Sequence, residues 1–237
     1  METTLNFNPW DELLHRYVDG RGRVDYAAWK AESTLTLRRW LGVLSEVNPR
    51  DHPDPDWQLA FWLNLYNALV IAEVLKSYPI PSIRPRIFGV PDWIAFFRFF
   101  SRPVFTLSGR RYSLNAIEHG TIRPRFRDPR VHFALVCAAN GCPLLRNEAY
   151  RPRRVQTQLD EDAGRFINNP DKMRFDAATT TLYCSRIFQW YRRDFLDVAP
   201  SIPAYARRYL ASGDTLTDAA TVRYLDYDWS LNQRISS

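Results

Sequence analysis

Three cysteines and four histidines are the residues of this chain best suited to chemistry. Cysteine supplies the strongest nucleophile, and Cys142 has the most promising setting. It follows the Asn140-Gly141 turn and precedes Pro143. Proline is tolerated at the first helical position, so this spacing predicts a helix that starts at Cys142. A thiolate there would be stabilised by free N–H groups and the helix dipole. Backbone N–H groups near residues 142–144 would also suit an oxyanion hole. The competing reading is a buried, inert cysteine that packs as a small hydrophobe. Cys137 lies within VHFALVCAA and Cys184 within TLYCS, and both read as core residues.

A thiol of this kind needs a base. His119 follows Glu118 near the end of a predicted helix, where the dipole favours an imidazolium able to pair with a thiolate. His132 opens a predicted strand. An extended chain from His132 to Ala138 covers about 20 Å, and the four further residues return at most about 14 Å. Chain length therefore favours His119 as the partner, and His132 reads as a structural histidine held by a backbone carbonyl. His15 and His52 sit in polar surface contexts. Asn64 and Asn67 share one face of an apolar helix, and buried amides must find partners. They either tie down a loop or, in the case of Asn67, orient the base. Asp226 and Asp228 alternate on a predicted strand and are expected to pair with arginine.

Other chemistries lack their motifs. The sequence has no His-Glu-x-x-His, CxxC, acidic calcium loop, glycine-rich phosphate loop or GxSxG. No metal or cofactor is expected.

The elements that must position these residues follow from periodicity. Helices are expected at 10–18, through 25–47, at 57–77 with Asp56 as N-cap, at 113–123 with Ser113 as N-cap, and at 153–169, 187–195 and 203–211. The helix at 57–77 is apolar nearly all round and must be central. Residues 131–139 read as the best strand, 181–185 and 222–229 as shorter ones, and 103–107 with 110–113 as a hairpin about Gly109. The chain has 237 residues, 46% hydrophobic, 14% aromatic and 24% charged, which excludes disorder and a coiled coil. The expected fold is one α+β domain over 1–237, helix-rich, with a small antiparallel or mixed sheet. The formal charge is +6, and its arginines are scattered. Basic and aromatic residues form no recognisable nucleic-acid module, so no nucleic-acid partner is expected. The odd, low cysteine count argues against a disulfide framework and fits a reducing compartment. The chain start lacks a secretory pattern, and the apolar stretch 57–72 is too short and polar to span a bilayer. A cytoplasmic location without membrane contact is the expectation.

The blocks FWLNLYNALVI, SLNAIEHGTIR, DPRVHFALVCAANGCPLLRNEAY and YLDYDWSLN resemble the family known as domain of unknown function 547. The likeness runs over about residues 14–233 and includes IFQWYRRDF. The family's motif positions correspond here to Asn67, Glu118, His119, His132, Cys142, Pro143 and Tyr150. By its start the chain is expected to have neither the secretion signal of many bacterial relatives nor the leucine-zipper region of the plant ones. The resemblance further implies a relation to papain-like and transglutaminase-like cysteine hydrolases, in a permuted arrangement, because both histidines precede the cysteine.

Two functional readings follow. The first is a cysteine-dependent acyl-transfer enzyme (amidohydrolase, peptidase or transferase) acting on a small molecule or peptide. Cys142 is its nucleophile, His119 or His132 its base, and Glu118 or Asn67 the group that orients the base. The second is a non-catalytic binding module whose polar core merely fixes the fold.

Overall fold

The computed structural model describes residues 5–87, 90–211 and 215–234. Helices α1 (Asn8–Tyr17), α2 (Tyr26–Glu32) and α3 (Thr34–Ser45) form the N-terminal layer. Their apolar spacing brings Trp10 against Trp29 and Trp40, with Tyr17 stacked on Trp29. Asp25 starts α2 by accepting the Ala28 N–H at 3.0 Å.

This layer packs on α4 (Pro55–Ser77), which is buried on all sides, as its sequence requires. The helix is long and apolar enough to cross a membrane, but it is almost wholly buried inside the protein. Asp54, not Asp56, is its N-cap, and Pro55 takes the first helical position. A short pairing, β1 (Arg86–Ile87) with β2 (Val90–Pro91), precedes α5 (Trp93–Ser101). The expected hairpin follows as β3 (Phe105–Leu107) and β4 (Arg110–Tyr112), and Gly109 takes a φ of 77° in its turn. Ser113 caps α6 (Leu114–Ile117) as predicted. That helix widens into a π-helical turn at Glu118–Ile122 and continues as α7 (Arg123–Phe126).

The segment 131–139 is not a strand. It opens as a short helix, α8 (Val131–Ala134), and then runs on in irregular form to one isolated bridge, Ala139 to Leu231. Helical spacing lets Val131 and Ala134 face the core around α4, while Phe133 enters a second apolar cluster with Phe166, Phe188 and Phe195. Strand alternation would have put 131 and 133 on one face. The second cluster is enclosed by α9 (Val155–Ile167), β5 (Met173–Asp176), β6 (Thr181–Cys184), α10 (Ile187–Trp190), α11 (Arg192–Leu196), α12 (Ile202–Arg207) and β7 (Thr221–Tyr224). Strand β6 pairs antiparallel with β5 and parallel with β7. The molecule is thus a helix-rich α+β domain with small sheets, one of them mixed. Strand β7 ends well before 229, so Asp226 and Asp228 lie beyond it. Asp226 approaches Arg186 at 3.8 Å, and Asp228 accepts from Ser230.

Candidate active site

A cavity of about 490 Å³ lies between α5, the π turn, α8 and the C-terminal segment. Glu118, His119, His132, Cys137 and Cys142 all line it, and most of the remaining lining is aromatic.

The π turn presents Glu118 and His119 to one wall. Glu118 is buried and accepts hydrogen bonds from the Tyr66 hydroxyl at 3.2 Å and the Tyr191 hydroxyl at 2.6 Å. Burial, reinforced by the Glu118 charge, raises the pKa of both phenols, so they remain donors. His119 is exposed. Its Nδ1 lies 2.8 Å from Nη1 of Arg123, and its Nε2 lies 3.9 Å from Glu118. Arginine only donates, so that Nδ1 is unprotonated and acts as acceptor.

His132 is almost fully buried and stacks on Tyr191 at 3.8 Å. Its Nε2 lies 2.8 Å from Oδ2 of Asp194 on α11, and Arg123 grips the same carboxylate with two bonds of 2.8 Å. Burial lowers the pKa of His132 against the opposing pull of Asp194. The bond from His132, aided by Arg123, holds the Asp194 carboxyl far below the usual carboxylate range. A neutral imidazole therefore donates from Nε2 to a carboxylate, and its basic nitrogen is Nδ1. Among the described residues Nδ1 has no hydrogen-bond partner.

Cys142 differs from expectation in two ways. No helix begins there, and residues 141–150 are turn and loop. The N–H groups of Gly141 and Cys142 are consumed by Asp228 and Ala139, and residue 143 is proline, so the expected cluster of free N–H groups around 142–144 does not form. Moreover, Cys142 is paired with Cys137 in a disulfide, with 5.9 Å between the α-carbons. The expectation of unpaired cysteines fails because the chain bends back after α8 and meets itself within five residues. Cys137 is a cavity residue rather than a core one. Cys184 is buried as predicted, and burial pushes its thiol up to about 12. Sγ of Cys142 accepts from the Cys137 N–H at 3.0 Å and from the Tyr227 hydroxyl at 3.1 Å. Gly141 makes the second contact possible, because a Cβ there would lie 2.7 Å from the Tyr227 ring. Gly22 likewise lets the backbone of Leu144 and Leu145 come close.

Helix α8 also changes the reach of His132. A helix advances about 1.5 Å per residue against about 3.3 Å for a strand. The chain therefore brings His132 and Cys142 to the same cavity. No hydrogen bond joins either imidazole to Cys142 among the described residues.

Asn67 stands apart from the imidazoles. Its amide donates to Ala134 O at 2.9 Å and accepts from the Val136 N–H at 3.0 Å, which pins the backbone behind the cavity. Asn64 does the same for Tyr150, with bonds of 2.8 and 2.9 Å to its carbonyl and N–H. The Tyr150 hydroxyl donates to Asp162 at 2.7 Å. Asp194, Arg123, Tyr66, Tyr191 and Tyr227 escaped the reading of the sequence. All five lie in the blocks quoted above, FWLNLYNALVI, SLNAIEHGTIR, IFQWYRRDF and YLDYDWSLN, but nothing within those blocks singled them out.

Residues 51–167 match a family model described as "Protein of unknown function, DUF547". Over that stretch the chain is similar to the DUF547 family. No curated protein and no solved structure matches the chain. Glu118, His119, His132, Cys137 and Cys142 lie inside the matched stretch, whereas Tyr191, Asp194 and Tyr227 come from the chain that follows it. Those later residues supply the imidazole's carboxylate and the phenol on Cys142 Sγ.

Proposed function

We propose that the protein is a cysteine-dependent acyl-transfer enzyme, an amidohydrolase, peptidase or transferase, with Cys142 as nucleophile and His132 as base. The observation that carries this is the single cavity shared by Cys142 and a neutral imidazole already bonded to a carboxylate. Asp194 takes the orienting role expected of Glu118 or Asn67. His132 is preferred to His119, whose Nδ1 is occupied by the Arg123 cation. The reaction requires the reduced form, reached when a dithiol takes up the Cys137–Cys142 bond and leaves as its own disulfide. The Cys142 thiol then gives its proton to Nδ1 of His132, and its sulfur bonds to the substrate carbonyl carbon. The imidazolium returns the proton to the departing amine or alcohol as its bond to the acyl carbon breaks. Water or another acceptor releases the acyl group and restores the thiol. The Cys137 N–H and the Tyr227 hydroxyl, which donate to Sγ at 3.0 and 3.1 Å, are the donors this reading assigns to the oxyanion.

The disulfide also supports a second reading, a binding module in which the pair is structural. Iodoacetamide labelling after mild reduction separates the two. The enzyme reading expects Cys142 to label faster than Cys184 near pH 7, and His132→Ala to slow it severalfold while His119→Ala does not. If neither histidine matters, the thiol has no imidazole partner and the binding reading stands.

A further inference from the structure

Helix α5 lines the cavity with Trp93, Phe96, Phe97 and Phe100, yet none of its residues is buried. Trp93 is 49% exposed, Ile94 75% and Phe97 59%, and Trp190, another lining residue, is 47% exposed. A contiguous apolar patch at the rim of a concave site marks a surface that binding covers. The polar side of the cavity has a different character. Its polar groups already have partners: Glu118 accepts from two phenols, and behind the wall Asp194 holds His132 and Arg123. A charged ligand would displace these bonds, whereas a neutral one would not. The volume falls within the range of about 300–1,000 Å³ usual for small-molecule sites.

We propose that the α5 cleft binds the apolar acyl group of a neutral amide or ester, whose carbonyl lies toward Cys142. The fate of that carbonyl rests on the acyl-transfer reading; the binding itself does not. The apolar group covers the exposed aromatic edges of α5 and Trp190. Recognition is then by area, so affinity grows with the length of the acyl group.

The test uses the protein in its disulfide form, in which Cys142 cannot react. Butanamide, hexanamide and octanamide are titrated, with tryptophan fluorescence as readout because Trp93, Trp190 and Trp229 line the cleft. Phenylacetamide tests whether a flat ring serves as well as a chain. Each added methylene is expected to tighten Kd about fourfold. Trp190→Ser and Phe97→Ser, both at exposed positions, should weaken octanamide more than hexanamide and leave melting unchanged. An affinity flat along the series, or indifferent to both variants, overturns the proposal. So does capture by phosphatidylcholine vesicles, or dimerisation through α5, in place of amide binding. Tight octanamide binding without turnover by the reduced protein would sink acyl transfer and leave the cleft intact. Turnover that ignores chain length would do the reverse.

Discussion

His132 carries two separable duties. It packs a neutral ring between Tyr191 and Phe195, and it keeps Nδ1 basic by donating from Nε2 to Asp194. Because burial lowers its folded pKa below the ordinary 6.5, the unfolded chain takes up a proton first as pH falls. Stability contributed by the neutral ring is therefore full above pH 6.5 and declines below it. A pH series of urea melts should show that decline, and His132→Gln should remove it; identical slopes in both proteins would count against a buried neutral ring. Asn67 tests the backbone behind the ring. Asn67→Leu leaves the Val136 N–H unpaired and the Ala134 carbonyl with only the Tyr150 hydroxyl at 3.5 Å, at a cost of roughly 1–3 kcal/mol in urea melts. An unchanged midpoint would mean the segment 134–136 finds other partners. At this scale the sequence was informative about types but not about pairings. Cys142, His119, His132 and Glu118 stood out because their chemistry is rare on an apolar background. Asp194 did not, since one carboxylate among 26 acidic residues carries no local mark of the imidazole that it meets 62 positions away.

Among the elements, strongly periodic helices were legible and the segments between them were not. Helices α4 and α9 and the β3–β4 hairpin follow directly from apolar spacing and turn residues. The stretch 131–139 misled because β-branched and aromatic residues favour strands only where a neighbouring strand exists to pair with. Here two cores compete for alternate side chains, and a helical turn serves both. The loop after Cys142 misled for a related reason: Pro143 fits a helix start but equally fits a turn whose N–H groups are taken by Ala139 and Asp228. That loop is held from below by Lys172, which donates to the Asn140 carbonyl. Burial brings the Lys172 ammonium down to about 8 from 10.5. Between those values the unfolded chain holds more protons, so stability rises with pH across this window. Relative to Lys172→Met, the native protein should gain up to about 3 kcal/mol in chemical melts from pH 8 to pH 10.5. Parallel profiles would show that the ammonium is better solvated than its surroundings indicate. Gly141→Ala tests the same loop from above. A methyl group there pushes the Tyr227 ring away, so reduced Cys142 loses one donor and should alkylate more slowly near pH 7 than in the native protein.

Across the whole molecule, two apolar clusters share α8 and are enclosed by a mixed sheet and helical layers. That class of fold was readable from the count and spacing of helical segments. What the sequence could not reveal was the stitching: Ser230, Leu231 and Gln233 bridge to Ser82, Ala139 and Val24, three regions far apart in the chain. Asn232 adds bonds to the Ala138 carbonyl, the Gly22 carbonyl and the Tyr26 hydroxyl. During synthesis the chain appears from its N-terminus, and folding starts before the end has emerged. The α4 layers have all their own residues early, whereas the cavity waits for Tyr227 and the stitch that follows it. A chain that stopped short of Tyr227 would carry both sulfurs without the phenol that donates to Cys142. The residues that finish the wall around the Cys137–Cys142 pair are thus among the last the chain supplies.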